Sequence, residues 1–96
     1  MAPQVVWTKR ASDDLYQVFD TLSSYSNIRA ETVVEAIIDQ AFHLEQFPRM
    51  GRVVPEVNID SIREIIVHQY RVIYLVNAQG VEILAVRHSS KPLSSL

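Results

Sequence analysis

The chain has 96 residues, of which 48% are hydrophobic and 21% charged, and its formal net charge is -2. That length fits one domain over residues 1–96 with a modest core, excludes a disordered chain and argues against a general nucleic-acid binder, which is usually basic. The absence of cysteine excludes disulfides and thiolate metal sites and suits a reducing cytoplasm.

The N-terminal MAPQVVWTKR lacks the layout of a signal peptide, and no apolar run is long enough to span a membrane. The expected location is cytoplasmic. The first element is QVVW, Gln4 to Trp7, β-branched and aromatic, which reads as a strand. Thr8 follows as an N-cap. Ala11, Leu15, Val18, Leu22 and Tyr25 then recur at spacings of three and four, one stripe of an amphipathic helix. Asp13 and Asp14 sit near its start, where the helix dipole favours negative charge. After the turn residues SSYSN, a second stripe runs through Ala30, Val34, Ile37, Ala41 and Leu44, widened by Val33, Ile38 and Phe42. Pro48 stops it. Two helices joined so briefly pack antiparallel.

Pro48 to Val57 holds two prolines and a glycine and reads as a loop. Three strands follow: Ser61 to Val67, Tyr70 to Val76, and Val81 to His88. NAQG, Asn77 to Gly80, reads as a type I turn with Gly80 in a left-handed position. The tail SSKPLSSL reads as frayed. The order is β-α-α-β-β-β, an α+β fold in which an N-terminal strand and an antiparallel helical hairpin pack on a C-terminal antiparallel sheet.

One residue stands out. Arg71 lies within HQYRVIYLV, a run that otherwise wants burial. An unpaired guanidinium in a core costs several kcal/mol, so this side chain needs an outward face or a partner. Strand side chains alternate between faces. The turn proposed above pairs Asn77 with Val81 and Arg71 with Arg87. One face then holds Tyr70, Val72, Tyr74 and Val76 with Leu84, Val86 and His88, the better core. The other holds Arg71, Ile73 and Leu75 with Ile83, Ala85 and Arg87. A tight turn at His68 and Gln69 adds Ile62, Glu64 and Ile66 to that second face, which is expected to stay partly open. A one-residue slip overturns the assignment. Two readings of Arg71 stand together: an ion pair with Glu64 on the neighbouring strand, or a binding role.

The segments VVWTKRASDDL, LEQFPRMGRVVPE, IREIIVHQYRVIYLV and VEILAVRHSSK, taken in this order, resemble the RelE/ParE superfamily, the toxins of bacterial type II toxin–antitoxin systems. The resemblance covers nearly the whole chain and implies a plasmid-stabilisation function. RelE-like members cut messenger RNA on the ribosome with basic residues on the open sheet face. ParE-like members trap DNA gyrase and block replication with no known chemistry of their own. Arg71 matches the central-strand arginine of the RelE-like nucleases, and Lys91 falls where they carry a second arginine. Ile62 and Glu64 stand where they carry lysines, and an acidic group there would repel a phosphate. Ser89 and Ser90 replace their acid–base residues. The GRVVPE loop is ParE-like. The sequence therefore reads as a gyrase-directed, ParE-like toxin, with a ribosome-dependent endoribonuclease as the alternative and an inert binding module of the same fold as a third reading.

The candidate residues follow. If the protein is a nuclease, Arg71, Lys91 and Glu56 are its catalytic candidates; otherwise Glu56 is expected to pair with Arg52 or Arg63. Arg52, Arg63, Arg71, Arg87 and Lys91, with Arg49 nearby, form a candidate cationic patch for the target. The resemblance implies a cognate antitoxin that lays a helix into a groove beside the hairpin and adds a strand at a sheet edge. Leu15, Phe19, Leu22, Val5 and Trp7 are the candidate contacts. An empty groove is also a sticky surface through which a homodimer would form. His43, His68 and His88 lack metal-ligand spacing, and neither metal nor other cofactor is expected.

Overall fold

The computed structural model describes residues 4–91 and 93; the expectations for residues 1–3 and for part of the tail lie outside the described residues. Strand β1 is Gln4–Trp7, helix α1 Lys9–Ser23, helix α2 Asn27–His43, and strands β2 to β5 are Arg52–Val53, Ile62–Val67, Tyr70–Asn77 and Gly80–His88. The Thr8 hydroxyl caps α1 by accepting from the Ala11 amide at 3.0 Å and donates to the Ile83 carbonyl at 2.9 Å, so one side chain starts the helix and fixes it to the sheet. Ser26 caps α2 in the same way through the Arg29 amide, at 3.2 Å. The helix ends at His43, ahead of Pro48.

Among the described residues, five strands form one sheet in the order β1-β5-β4-β3-β2. The sheet is mixed rather than wholly antiparallel, because β1 runs parallel to β5 at one edge. The segment expected to be loop throughout carries β2, which pairs with β3 at the other edge. The helical hairpin covers one face. Ala11 and Val18 of α1 and Val33, Ile37 and Ala41 of α2 pack there with Ile65, Val67, Val72, Tyr74, Val81, Ile83 and Val86. Tyr25, Ile38 and Phe42 are exposed, so the sheet buries only part of the apolar stripes that the sequence shows.

The β4–β5 register departs from the sequence reading and then returns to it. Asn77 pairs with Gly80, not Val81, so the connection is the two residues Ala78 and Gln79. The Asn77 side chain accepts from the Gln79 amide at 2.9 Å, and Gly80 adopts φ 134°. A bulge between Ile73 and Tyr74 leaves Leu84 as an extra residue on β5, after which Arg71 does face Arg87. The consequence is local: Ile83, expected on the open face, lies under the helices, while Leu84 joins Ile73 and Ala85 on the other side. Beyond Ile83, β5 has lost its β1 neighbour. There Asp14 of α1 accepts the Val86 amide at 3.0 Å, which satisfies a donor that the short edge strand leaves unpaired.

Candidate functional site

Arg71 lies on the face opposite the helices, yet it does not reach solvent. It is 6% exposed, and Glu64 beside it on β3 is 1% exposed. The cover is the loop after β2. Val54 is fully buried against Ile73 and Ala85, with Val57, Ile62 and Leu84 around them, in a second small core. The loop closes on itself where Val57 and Asn58 both donate amides to the Val54 carbonyl. Asn58 takes φ 55°, a left-handed conformation that asparagine tolerates well. The face expected to stay open is therefore roofed, and Glu56 projects from the roof onto the arginine.

Every nitrogen of the guanidinium donates to a carboxylate. Its Nε donates to Glu64 Oε1 at 2.6 Å. Its two terminal nitrogens donate to Glu56 in a bidentate fork, both at 2.8 Å. Glu64 uses its second oxygen to accept from Arg52 Nε at 2.6 Å. Two cations and two carboxylates thus balance to zero, the condition under which buried charge is tolerable. The hydrogen bonds from Arg71 hold the Glu56 carboxyl down at about 2, well below the usual carboxylate range, while the same partnership raises Arg71 further beyond its ordinary value. Glu56 accordingly pairs with Arg71, not with Arg52 or Arg63 as the sequence led us to expect.

The other basic residues of the expected patch have partners of their own. Arg63 donates to the Gly51 carbonyl at 2.9 Å and to Asp60 Oδ1 at 3.0 Å. Arg49 donates to Asp60 Oδ2 at 2.6 Å. Gly51, between them, donates its amide to the Tyr74 hydroxyl at 3.0 Å, and burial pushes the Tyr74 phenol up. A methyl group at position 51 would collide with the Glu64 carbonyl. Arg87 stands opposite Arg71 on the neighbouring strand, and Lys91 lies just beyond the end of β5. Of the five candidate target-binding cations, Arg52, Arg63 and Arg71 hold carboxylates, and Arg87 and Lys91 have no ion-pair partner among the described residues. The three histidines are also apart, His43 closing α2, His68 in the β3–β4 turn with φ 53°, and His88 ending β5 edge-on to Tyr70.

A second feature is apolar. Trp7, Leu15, Phe19, Val34 and Ile38 line an open groove of about 620 Å³ beside the helical hairpin. It exists because the hairpin stripes are wider than the sheet they cover, which leaves Ile38 in solvent and Val34 half-buried. Three of the candidate antitoxin contacts, Trp7, Leu15 and Phe19, lie in it. Leu22 and Val5 pack against the main core instead. Sequence reasoning missed Val34 and Ile38, whose apolar spacing is that of core residues.

The family model described as "ParE toxin of type II toxin-antitoxin system, parDE" matches residues 5–93. The chain belongs to the ParE toxin family. It is also 32% identical over 89 residues to "Toxin RelE2" of Caulobacter vibrioides, covering 92% of this chain and 97% of that protein. The fold matches a chain of the solved structure "Chromosomal ParDE TA system from P. aeruginosa" with TM-score 0.76 at 20% identity, over 91% of this chain and 96% of that one. This ParE-family protein is thus a toxin of a type II toxin–antitoxin system, a membership that implies a cognate antitoxin. No helix among the described residues is long and apolar enough to cross a membrane.

Proposed function

We propose that this toxin acts in the cytoplasm by trapping DNA gyrase and blocking replication, as part of a plasmid-stabilisation system. The observation that carries the reading is the state of Arg71. A phosphate-orienting arginine needs free donors at the moment of reaction. Here the Nε and both terminal nitrogens already donate to Glu64 and Glu56. The two carboxylates also put negative charge where a scissile phosphate would sit. Glu56, another of the three nuclease candidates, is an acceptor held ionised by Arg71 and is a poor proton shuttle near neutral pH.

The groove between the hairpin helices takes the antitoxin. Its lining of Trp7, Leu15, Phe19, Val34 and Ile38 suits the apolar side of an amphipathic helix. Left empty, the same surface brings two toxin copies together as a homodimer. Expression in a bacterial cell without antitoxin tests the target. Growth arrest with filamentation and DNA-damage signalling supports gyrase. Arrest with rapid mRNA cleavage on ribosomes points to the endoribonuclease, and undisturbed growth to an inert module.

A further inference from the structure

The charges of this chain are unevenly placed. From Lys9 to Gln46, the span of the helical hairpin, seven acidic residues stand against three basic ones, whereas the rest of the chain has six basic and four acidic residues. Part of that excess is ordered along α2. Glu31, Glu35 and Asp39 recur every fourth residue as a single exposed row. Like charges at this spacing repel and weaken a helix, and none of the three has an ion-pair partner among the described residues.

The row borders the apolar groove. Glu31 and Glu35 each stand three residues before one of its lining side chains, Val34 and Ile38, a spacing that puts two side chains next to each other on a helix. On α1, Asp20 stands four residues after Tyr16, which lines the groove, and it too is exposed and without an ion-pair partner among the described residues. Asp13, three residues before Tyr16, is held by Lys9 at 2.8 Å. The apolar floor suits a helix or a second copy of the chain. A second copy brings its own carboxylates to the same rim, and such like-charge juxtaposition suppresses a partner. A helix with cationic side chains beside its apolar anchors relieves the repulsion within the row and lays its aliphatic stems along the groove walls.

We infer that the groove selects a basic amphipathic helix, with lysine or arginine flanking its apolar side and meeting Glu31, Glu35 and Asp20. The inference rests on the reading of the groove as the antitoxin's seat and adds the charge of the segment that enters it.

The test uses full-length toxin and three synthetic helical peptides with identical leucine anchors, their flanking positions all lysine, all glutamine or all glutamate. Trp7, the single tryptophan and part of the groove lining, reports occupancy by fluorescence. The lysine peptide should bind about tenfold tighter than the glutamine peptide. The glutamate peptide should bind more weakly than both, and the preference should shrink as salt rises. Glu31→Gln/Glu35→Gln, at exposed positions, should cut the affinity for the lysine peptide about fivefold and leave that for the glutamine peptide unchanged. Ile38→Ala, also at an exposed position, should weaken both alike. Equal affinity for the lysine and glutamine peptides, or a lysine peptide indifferent to the double variant, overturns the charge assignment while the groove reading survives. A lysine peptide indifferent to Ile38→Ala binds outside the groove and overturns the assignment as well. No Trp7 response to any peptide removes the groove reading and the inference together, and a self-associated toxin that none of them displaces gives the groove to a second copy.

Discussion

Replacing Arg71 by alanine distinguishes a structural cation from a free functional one. In the structure the guanidinium is sealed beneath the Val54–Val57 loop and holds Glu64 on one side and Glu56 on the other. Removing it leaves Glu64, whose side chain has no solvent exposure, with Arg52 alone. Breaking a buried pair from one side costs about 3–5 kcal/mol. The remaining Arg52 contact offsets part of this, so the lower end, about 3 kcal/mol, applies. For a domain of this size that is a fall in Tm of about 10–25 °C. The double variant Arg71→Met/Glu64→Leu removes both charges and fills the space. It is expected within about 1 kcal/mol of wild type, because Arg52 and Glu56 are exposed enough to be rehydrated. Urea denaturation followed by far-UV circular dichroism, with the fluorescence of Trp7, the single tryptophan, as a second probe, measures both. An Arg71→Ala protein that keeps wild-type stability and loses only toxicity would refute the structural assignment.

Further outcomes follow from the same geometry. Glu56 is depressed in the folded state, so the stability that it contributes is fully present above its unfolded value of 4.5 and is lost as pH falls toward about 2; denaturation from pH 2 to 6 should show Glu56→Gln less stable than wild type at the upper end and equal to it at the lower. Val34→Asp should fold and lose antitoxin binding, since Val34 lines the groove, whereas Ile37→Asp, at a fully buried position, should fail to fold; circular dichroism and pull-down with the antitoxin separate the two. Gly51→Ala should destabilise the protein and loosen the loop, because the new methyl meets the Glu64 carbonyl and the Tyr74 hydroxyl; faster amide exchange at Gly51 is the readout.

The pleat phase of β4 was legible because an apolar alternation with a charge at one parity admits a single sensible burial. The helices were legible from their caps and spacing. The bulge was not, because Leu84 suits either face and no glycine marks it. The expected Arg71–Arg87 pair came from a turn one residue too long, and the bulge absorbs that residue. The burial of Arg71 was hidden for a different reason. Its cover is a proline-containing loop, and which carboxylate such a loop delivers depends on its path through space. Glu64 was nameable as a partner from strand alternation alone; Glu56 was named only as a catalytic candidate or as a partner for Arg52 or Arg63. Ile38 and Phe42 misled in the opposite sense: helical spacing marks an apolar face without saying whether the chain's own sheet or another protein covers it.

The claim on which the account turns is that a chain whose central arginine is neutralised by its own carboxylates works on gyrase rather than on RNA. Purified toxin should be added in parallel to gyrase with supercoiled DNA and to ribosomes programmed with mRNA. The account predicts accumulated gyrase–DNA cleavage complexes and intact message. Cut message in the decoding site, with gyrase unaffected at high toxin excess, would contradict it.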